Sequence, residues 1–289
     1  MGIVFTNWHK MLLKYNEWVM EAKHIKYLAV LFSAVTMLLA ACRKDAFDYG
    51  VFIGDDMNQR KKYECYDSVV VEPSNFTSKQ VESLKADGRH VYAYLNIGSL
   101  ENTQPYYKRY EDVMLDRYDG WPDEHWADVT KEKWQRLVVQ DRARTYKEQG
   151  FEGLFIDNAD VYYRYHTHEV YQSLKSMLTS LKRQGFKLIV NGGDVFVSET
   201  LKDGSSKRLY DGVNQENVFT SYDFVNKKYG RQTKKDTAYY ERYLKQAKKA
   251  GLDVYIVEYR ADRKLSKKID AYCEQHGYKW YNADSIELN

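Results

Sequence analysis

Proline is scarce in this chain, with three in 289 residues. No proline-rich linker divides it, and the length suits one large domain or two small ones. Cysteine is equally rare, with three. Apart from Cys42, only Cys65 and Cys273 remain, far apart in sequence, and two buried thiols are their expected state. A basic block is also missing. The net charge is +3, and Lys10, Lys14, Lys23 and Lys26 against Glu17 and Glu21 carry +2 of it, leaving +1 for the rest. That balance excludes a nucleic-acid-binding chain. No G-x-G-x-x-G or G-x-x-x-x-G-K follows any apolar run, which argues against a nucleotide-binding sheet. No G-x-S-x-G elbow is present, so serine hydrolase chemistry is not expected. His166 and His168 lack a third ligand at motif spacing and read as a solvated loop. Neither a metal nor a cofactor is expected.

Hydrophobic residues reach 44%, enough for a full core. Tyrosine is abundant, with 27. It serves either a tyrosine-rich core or platforms that stack on sugar rings, since the ring is a flat apolar face with a polar tip.

The N-terminal region reads as an export signal. Lys23, His24 and Lys26 precede an apolar run, Tyr27 to Ala41, that is short for a membrane span. Leu39-Ala40-Ala41-Cys42 resembles the lipobox of bacterial lipoproteins, in which Cys42 would be lipidated and become the mature N-terminus. The expected organisation is a signal peptide over 1–41, a lipid-anchored linker over 42–46 and a catalytic domain over 47–289. Met20 would be a more ordinary start, which makes 1–19 an upstream extension. The expected location is the outer side of a membrane, at the cell surface.

After residue 46, short apolar runs alternate with amphipathic stretches. The runs are Gly50–Ile53, Ser68–Val71, His90–Ile97, Trp126–Val129, Gly153–Ile156, Lys187–Val190, Gly212–Val218, Asp253–Val257 and Tyr278–Tyr281. Helices are expected over Ser78–Ala86, Thr130–Gln149, Thr167–Gln184, Lys234–Ala250 and Leu265–His276, the last four stopping at glycine. Such alternation predicts βαβ units and a parallel sheet. Eight of the nine runs fit a single-domain (β/α)₈ barrel, with one spare at an end or a mistaken Trp126–Val129. A doubly wound open sheet is the rival.

Carboxylates collect at the ends of these runs: Asp55 and Asp56, Glu72, Glu101, Asp128, Asp157 and Asp160, Asp194, Glu216 and Glu258. In a barrel these ends share one face. Some must be helix caps or turn residues. Ile156-Asp157-Asn158-Ala159-Asp160 stands out, because an apolar strand runs straight into two carboxylates. A charge at that depth is costly unless paired or used. Cleavage of a glycosidic bond needs one carboxylic acid and one carboxylate flanking it. Asp157 with Glu216, on alternate runs, is the expected pair. Asp157 is expected as nucleophile and Glu216 as acid/base, although position leaves the roles exchangeable. Asn191-Gly192-Gly193-Asp194 is a turn expected to bring backbone close to substrate. Substrate contacts are expected from Asp55, Tyr94, Asn96, Glu101, Asp160, Tyr162, Tyr163, Asn191, Asp194 and Glu258, with Tyr165 and Trp121 as further platforms.

These residues resemble glycoside hydrolase family 114, the endo-α-1,4-polygalactosaminidase family of barrel enzymes, over about 47–285. The likeness rests on Tyr92-Ala93-Tyr94-Leu95-Asn96-Ile97-Gly98-Ser99, Gly153-Leu154-Phe155-Ile156-Asp157-Asn158-Ala159-Asp160, Asn191-Gly192-Gly193 and Gln215-Glu216, in order. It implies that Asp157 and Glu216 are the catalytic pair, and retaining chemistry on a galactosamine-containing exopolysaccharide. The first run, Asp48-Tyr49-Gly50-Val51-Phe52-Ile53-Gly54, departs from the family in lacking its Trp-x-x-Gln pattern. An acidic mouth suits a cationic, partly deacetylated polymer, or hydrogen-bonds neutral hydroxyls. Two other functions compete: a silent carbohydrate-binding lipoprotein, and a surface assembly scaffold with an exposed apolar patch.

Overall fold

Eight of the nine apolar runs are parallel strands. The computed structural model describes residues 47–289, and the strands are β1 (Phe47–Phe52), β2 (Tyr66–Val71), β3 (His90–Asn96), β4 (Gly153–Asp157), β5 (Lys187–Asn191), β6 (Gly212–Glu216), β7 (Asp253–Tyr259) and β8 (Lys279–Ala283). They pair in chain order, and β1 neighbours β8 across the remaining seam, so the sheet is a nearly closed barrel. Runs such as Val69-Val70-Val71 and Leu188-Ile189-Val190 are wholly buried. That follows from a parallel sheet covered by helices outside and side chains within.

The covering helices are α1 (Ser78–Ala86), a composite α2, α3 (His168–Arg183), α4 (Asp194–Lys202), α5 (Lys234–Lys249) and α6 (Arg263–His276). Helix α2 starts as Glu132–Arg136, passes through a π-helical stretch, Leu137–Arg142, and ends as Ala143–Glu148. Thr77 and Gln80 form a capping box on α1, and the Asp262 side chain caps α6. Helices α2, α3, α5 and α6 stop beside Gly150, Gly185, Gly251 and Gly277, as the sequence pattern predicts.

Two insertions rise from the C-terminal ends of the strands. Between β3 and α2 lies a three-stranded sheet, with Glu124–Ala127 paired antiparallel to both Ser99–Glu101 and Met114–Arg117. The run Trp126–Val129 is therefore not a barrel strand. Its neighbours come from the same excursion, and Asp128 caps a turn by accepting from the Thr130 N–H. Between β6 and α5 lies a hairpin, Thr220–Asp223 with Lys228–Arg231.

Side chains fill the barrel. Tyr49 of β1 and Tyr255 of β7, on non-adjacent strands, meet with ring centroids 4.7 Å apart. Both are buried, as are Tyr63, Tyr210 and Tyr243 elsewhere, so much of the tyrosine forms core. Both described cysteines are free. Cys273 is buried as expected, but Cys65 is exposed, because it precedes β2 at the barrel's opposite end. Cys42 and the whole export-signal reading lie outside the described residues. Among the described residues no helix is long and apolar enough to cross a membrane.

Candidate active site

The last residues of five successive strands converge: Asn96 of β3, Asp157 of β4, Asn191 of β5, Glu216 of β6 and Tyr259 of β7. Asn96 stands opposite Asp157, whereas Glu216 lies two residues beyond Asn214, the partner of Asn191, and Tyr259 two beyond Val257, the partner of Glu216; this stagger of the barrel strands brings their final side chains together at the mouth.

Asn191 joins the two carboxylates. Its Nδ2 stands 2.9 Å from Asp157 Oδ1 and 2.8 Å from Glu216 Oε1, so those oxygens are at most 5.7 Å apart, the sum of the two legs. The orientation of this amide is fixed from below. Asn214 Nδ2 donates to Asn191 Oδ1 at 2.6 Å, and the Tyr49 hydroxyl donates to Asn214 Oδ1 at 3.3 Å. Tyr49 and Asn214 have no solvent exposure. Exchanging O and N in Asn191 alone would set donor against donor, in Asn214 alone acceptor against acceptor, and in both would turn the Asn191 oxygen onto the two carboxyls, so the chain of bonds favours one orientation.

The outer oxygens are held by tyrosines. Tyr94 donates to Asp157 Oδ2 at 2.8 Å, and Tyr259 donates to Glu216 Oε2 at 2.5 Å. Burial pushes the Asp157 carboxyl up, while the bonds from Tyr94, Asn191 and the Asn158 backbone pull it back. Burial also pushes Glu216 up; the Tyr259 bond opposes this, and the Asp157 charge adds to the rise. The two carboxyls share one amide and repel each other when both are charged, so the pair is disposed to hold one proton between them.

More carboxylates surround the pair. Burial and the Asp157 charge raise Asp160 to about 7. Asp160 Oδ2 accepts from the Gly193 N–H at 3.0 Å. Gly192 and Gly193 have φ of 58° and 59°, and a Cβ on Gly192 would stand 2.8 Å from Asp160 Oδ2. The glycine turn thus closes on Asp160. Glu124, on the insertion, is raised to about 7, first by burial and further by the Asp157 charge. Its Oε1 accepts from Ser99 Oγ, from Asn96 Nδ2 at 2.8 Å and from Asn158 Nδ2 at 3.1 Å. Asn158 adopts a left-handed backbone, φ 62°, a conformation asparagine tolerates. Gly98 passes beneath it, where a Cβ would lie 1.9 Å from the Asn158 carbonyl oxygen. Tyr118 stacks on Trp126 with centroids 4.2 Å apart, and the charges of Asp160, Asp157, Glu124 and Glu216 all bear on its phenol. Among the described residues, none of the ion pairs involves Asp157, Asp160, Glu124 or Glu216.

The structure separates other expected contacts from this centre. Glu258 has no exposure; its oxygens accept from the Phe219 and Thr220 N–H groups, at 2.9 and 2.7 Å, and it ties β7 to the loop after β6. It points outward because its neighbour Tyr259 points in. Tyr162 is buried, stacked on His166 and packed against Tyr171 and Phe196 between helices, so it is a packing residue. Tyr163 is 71% exposed. Tyr165 and Arg164 bind Asp116, tying the insertion to the loop after β4. Trp121 meets Phe224 of the hairpin, at 5.9 Å between centroids. Asp194 accepts from Tyr239 of α5, and Asp55 pairs with Lys62 at 3.1 Å. Glu101 is half-buried and raised by desolvation, beside the cluster. Four participants escaped the sequence reading. Tyr259 and Asn214 sit at inward positions that strict alternation along β7 and β6 marks, whereas no signal marks Glu124 or Tyr118, which arrive on the insertion.

A parallel eight-stranded barrel with two part-buried, facing carboxyls at its mouth is the arrangement of a glycoside hydrolase of the barrel class. The chain belongs to glycoside-hydrolase family GH114, whose model matches residues 34–285. The glycoside hydrolase domain of PelA from Pseudomonas aeruginosa is similar in fold, with a TM-score of 0.69 at 19% identity, covering 84% of this chain and 95% of that one. Ega3 of Aspergillus fumigatus, solved in complex with galactosamine, has a TM-score of 0.59 at 14% identity, covering 85% and 93%. The α-galactosidase TtGalA of Thermus thermophilus is more distant, with a TM-score of 0.55 at 11% identity, covering 82% and 57%. A sequence comparison with curated proteins finds no match.

Proposed function

We propose that this enzyme is a retaining, endo-acting hydrolase of an α-linked, galactosamine-containing exopolysaccharide. The observation that carries the retaining mechanism is the Asn191 clamp, with its ceiling of 5.7 Å between the facing oxygens. Retaining enzymes hold their carboxyls ~5–5.5 Å apart, inverting enzymes roughly 6.5–9.5 Å. A facing oxygen pair that close supports double displacement over direct displacement by an intervening water.

Glu216, protonated, gives its proton to the glycosidic oxygen as the bond to the anomeric carbon breaks. Asp157 attacks that carbon from the opposite face and forms a glycosyl ester. Glu216, now ionised, removes a proton from water, and the water oxygen displaces Asp157. Two inversions leave the configuration unchanged. Tyr94 and Asn191 favour the ionised form of Asp157 and fix its direction for attack.

The substrate class rests on charge. The carboxyls of Asp160, Glu124 and the catalytic pair gather without a contacting cation; an ammonium group brought among them favours their ionised form, which Asp160 and Glu124 otherwise reach only near pH 7. Galactosamine bound to Ega3 is consistent with this, and the family likeness supports the endo mode. We further propose that Cys42 is lipidated and holds the enzyme at the outer face of a membrane. Cys42→Ala should then appear in the soluble fraction, and undiminished membrane association overturns the anchor.

The chemistry is tested on a galactosaminan polymer. Asp157→Asn and Glu216→Gln should each abolish cleavage while retaining binding. Azide should rescue Asp157→Ala and yield a glycosyl azide of inverted configuration. An inverted sugar as the first product of the unaltered enzyme, read by NMR, overturns the retaining mechanism. A product series of only the shortest sugar overturns the endo mode.

A further inference from the structure

The chain from Asp116 to Trp121, on the β3 insertion, crosses the mouth. At one end the Asp116 carboxylate accepts from Arg164 and from the Tyr165 hydroxyl, on the loop after β4, at 3.2 and 3.1 Å. At the other end Trp121 packs against Phe224, on the hairpin after β6. Strand β4 ends in Asp157 and β6 in Glu216. The segment therefore passes from one catalytic strand to the other, and Tyr118 stands midway along it.

The Tyr118 ring is fixed on the face turned to the catalytic centre. Glu124 and Trp126 lie two residues apart on one strand of the insertion, so their side chains share a face. On that face Glu124 reaches Asn96, the cross-strand partner of Asp157, and Asn158, the residue after it. Trp126 is buried there, and the Tyr118 ring lies on it, with 26° between the planes. The Tyr118 N–H donates to the Glu124 carbonyl at 2.9 Å, which ties the two residues together.

The hydroxyl of this ring is uncommitted. Tyr94, Tyr259 and Tyr49 each donate theirs to the catalytic network. Among the described residues the Tyr118 hydroxyl has no hydrogen-bond partner, yet it is not sealed from solvent. Tyr118, Asp157, Asp160 and Glu216 all keep part of their surface open. Burial, and then the charges of Asp160, Asp157, Glu124 and Glu216, push the phenol far above its ordinary range, so it stays a donor. Asp160 has a free acceptor as well. Its Oδ2 accepts from the Gly193 N–H, and among the described residues its Oδ1 has no partner.

A free donor beside a free acceptor fits a hydroxyl. A sugar hydroxyl takes the phenol's bond on its oxygen and gives its own proton to a carboxyl oxygen. An ammonium group has no lone pair for Tyr118, and a glycosidic oxygen has no proton for Asp160. We propose that Tyr118 and Asp160 together hold one hydroxyl of the sugar at the catalytic position. Tyr118 is then a substrate-contacting residue that the insertion brings to a site otherwise built from strand ends. The choice of sugar rests on the galactosaminan reading above.

The probe is a short chromogenic galactosamine oligosaccharide whose aryl-bearing unit is intact, 3-deoxy or 6-deoxy. Release of the aryl group places that unit at the catalytic position, and a 1,4-linked unit keeps hydroxyls only at those two carbons. Tyr118→Phe keeps the stack on Trp126 and breaks no bond within the protein, so its thermal melt should be unchanged. On the intact probe its kcat/KM should fall about three- to tenfold, the effect of one neutral hydrogen bond. On one of the two deoxy probes it should match the unaltered enzyme within about twofold, because the partner is already gone. Asp160→Asn, whose oxygen stays on the Gly193 N–H while its NH₂ replaces the free acceptor, should converge on the same probe. Equal loss on all three probes, no loss on the intact one, or a melt that accounts for the lost activity overturns the contact and leaves the glycosidase reading intact. If the unaltered enzyme cleaves neither the intact probe nor a galactosaminan polymer, the galactosaminan reading falls, and the contact with it.

Discussion

Replacing Asn191 by alanine tests the catalytic geometry most directly. The Asn191 amide donates to an oxygen of both Asp157 and Glu216, bonds that strengthen on ionisation and so oppose the rise that burial imposes on both carboxyls. A hydrogen bond to a charged group contributes ~1.5–3 kcal/mol, and about 1.4 kcal/mol corresponds to one pH unit. The acid limb of the rate profile, which reports ionisation of Asp157, should therefore move up by about one unit or more. The alkaline limb, which reports proton loss from Glu216, should move the same way. Near neutral pH, loss of alignment should reduce kcat by about a hundredfold, if roughly 3 kcal/mol of positioning is removed. The variant also leaves Asn214 Nδ2 without its acceptor in a site with no exposure. That should lower stability by about 1–3 kcal/mol. The assay is kcat/KM on galactosaminan across pH, with a thermal melt beside it. Limbs that stay in place, or move down, refute the reasoning, since both carboxyls lose a donor. A melt that explains the whole loss of activity refutes it as well.

Two further outcomes follow from buried carboxylates. Glu258→Gln places an amide NH₂ against backbone N–H groups of Phe219 or Thr220; it should destabilise by about 2–3 kcal/mol, lowering Tm by roughly 5–10 °C, with kcat/KM of the folded enzyme within about twofold, and an unchanged melt contradicts the assignment. Asp160 and Glu124 are raised from 3.8 and 4.5 to about 7, so folding takes up protons in that window. The stability they lend is complete below about pH 4 and lost as pH rises through about 7. Asp160→Asn should flatten the fall in Tm between pH 5 and 8, and a slope identical to that of the unaltered protein counts against the linkage.

The barrel was legible because parallel strands covered on both faces are short apolar runs, and because α2, α3, α5 and α6 stop at glycine. Trp126–Val129 misled for a physical reason: an apolar stretch marks a buried strand but not the strand it pairs with. Position along a strand mattered more than distance from its end. Glu258 and Tyr259 are adjacent, yet alternation sends one into the wall and the other to Glu216. Tyr162 follows the Asp157 loop closely but turns between helices, since a four-residue helix, Val161–Arg164, reverses the chain there. Glu124 and Tyr118 depend on how the insertion folds back over the mouth, information that no local pattern carries.

The close passage of Gly98 under Asn158 bears on how distant members of such a family are recognised. The tyrosine-rich segment and the D-N-A-D segment are far apart in sequence, yet here they interlock like a tongue in a groove. A methyl group at position 98 would strike the carbonyl oxygen of the very turn that aims Asp157. The two segments therefore carry information only together. A chain that preserves the letters around its aspartate but bears a side chain at the matching glycine has a different turn, and ought to be set aside before its carboxylates are counted.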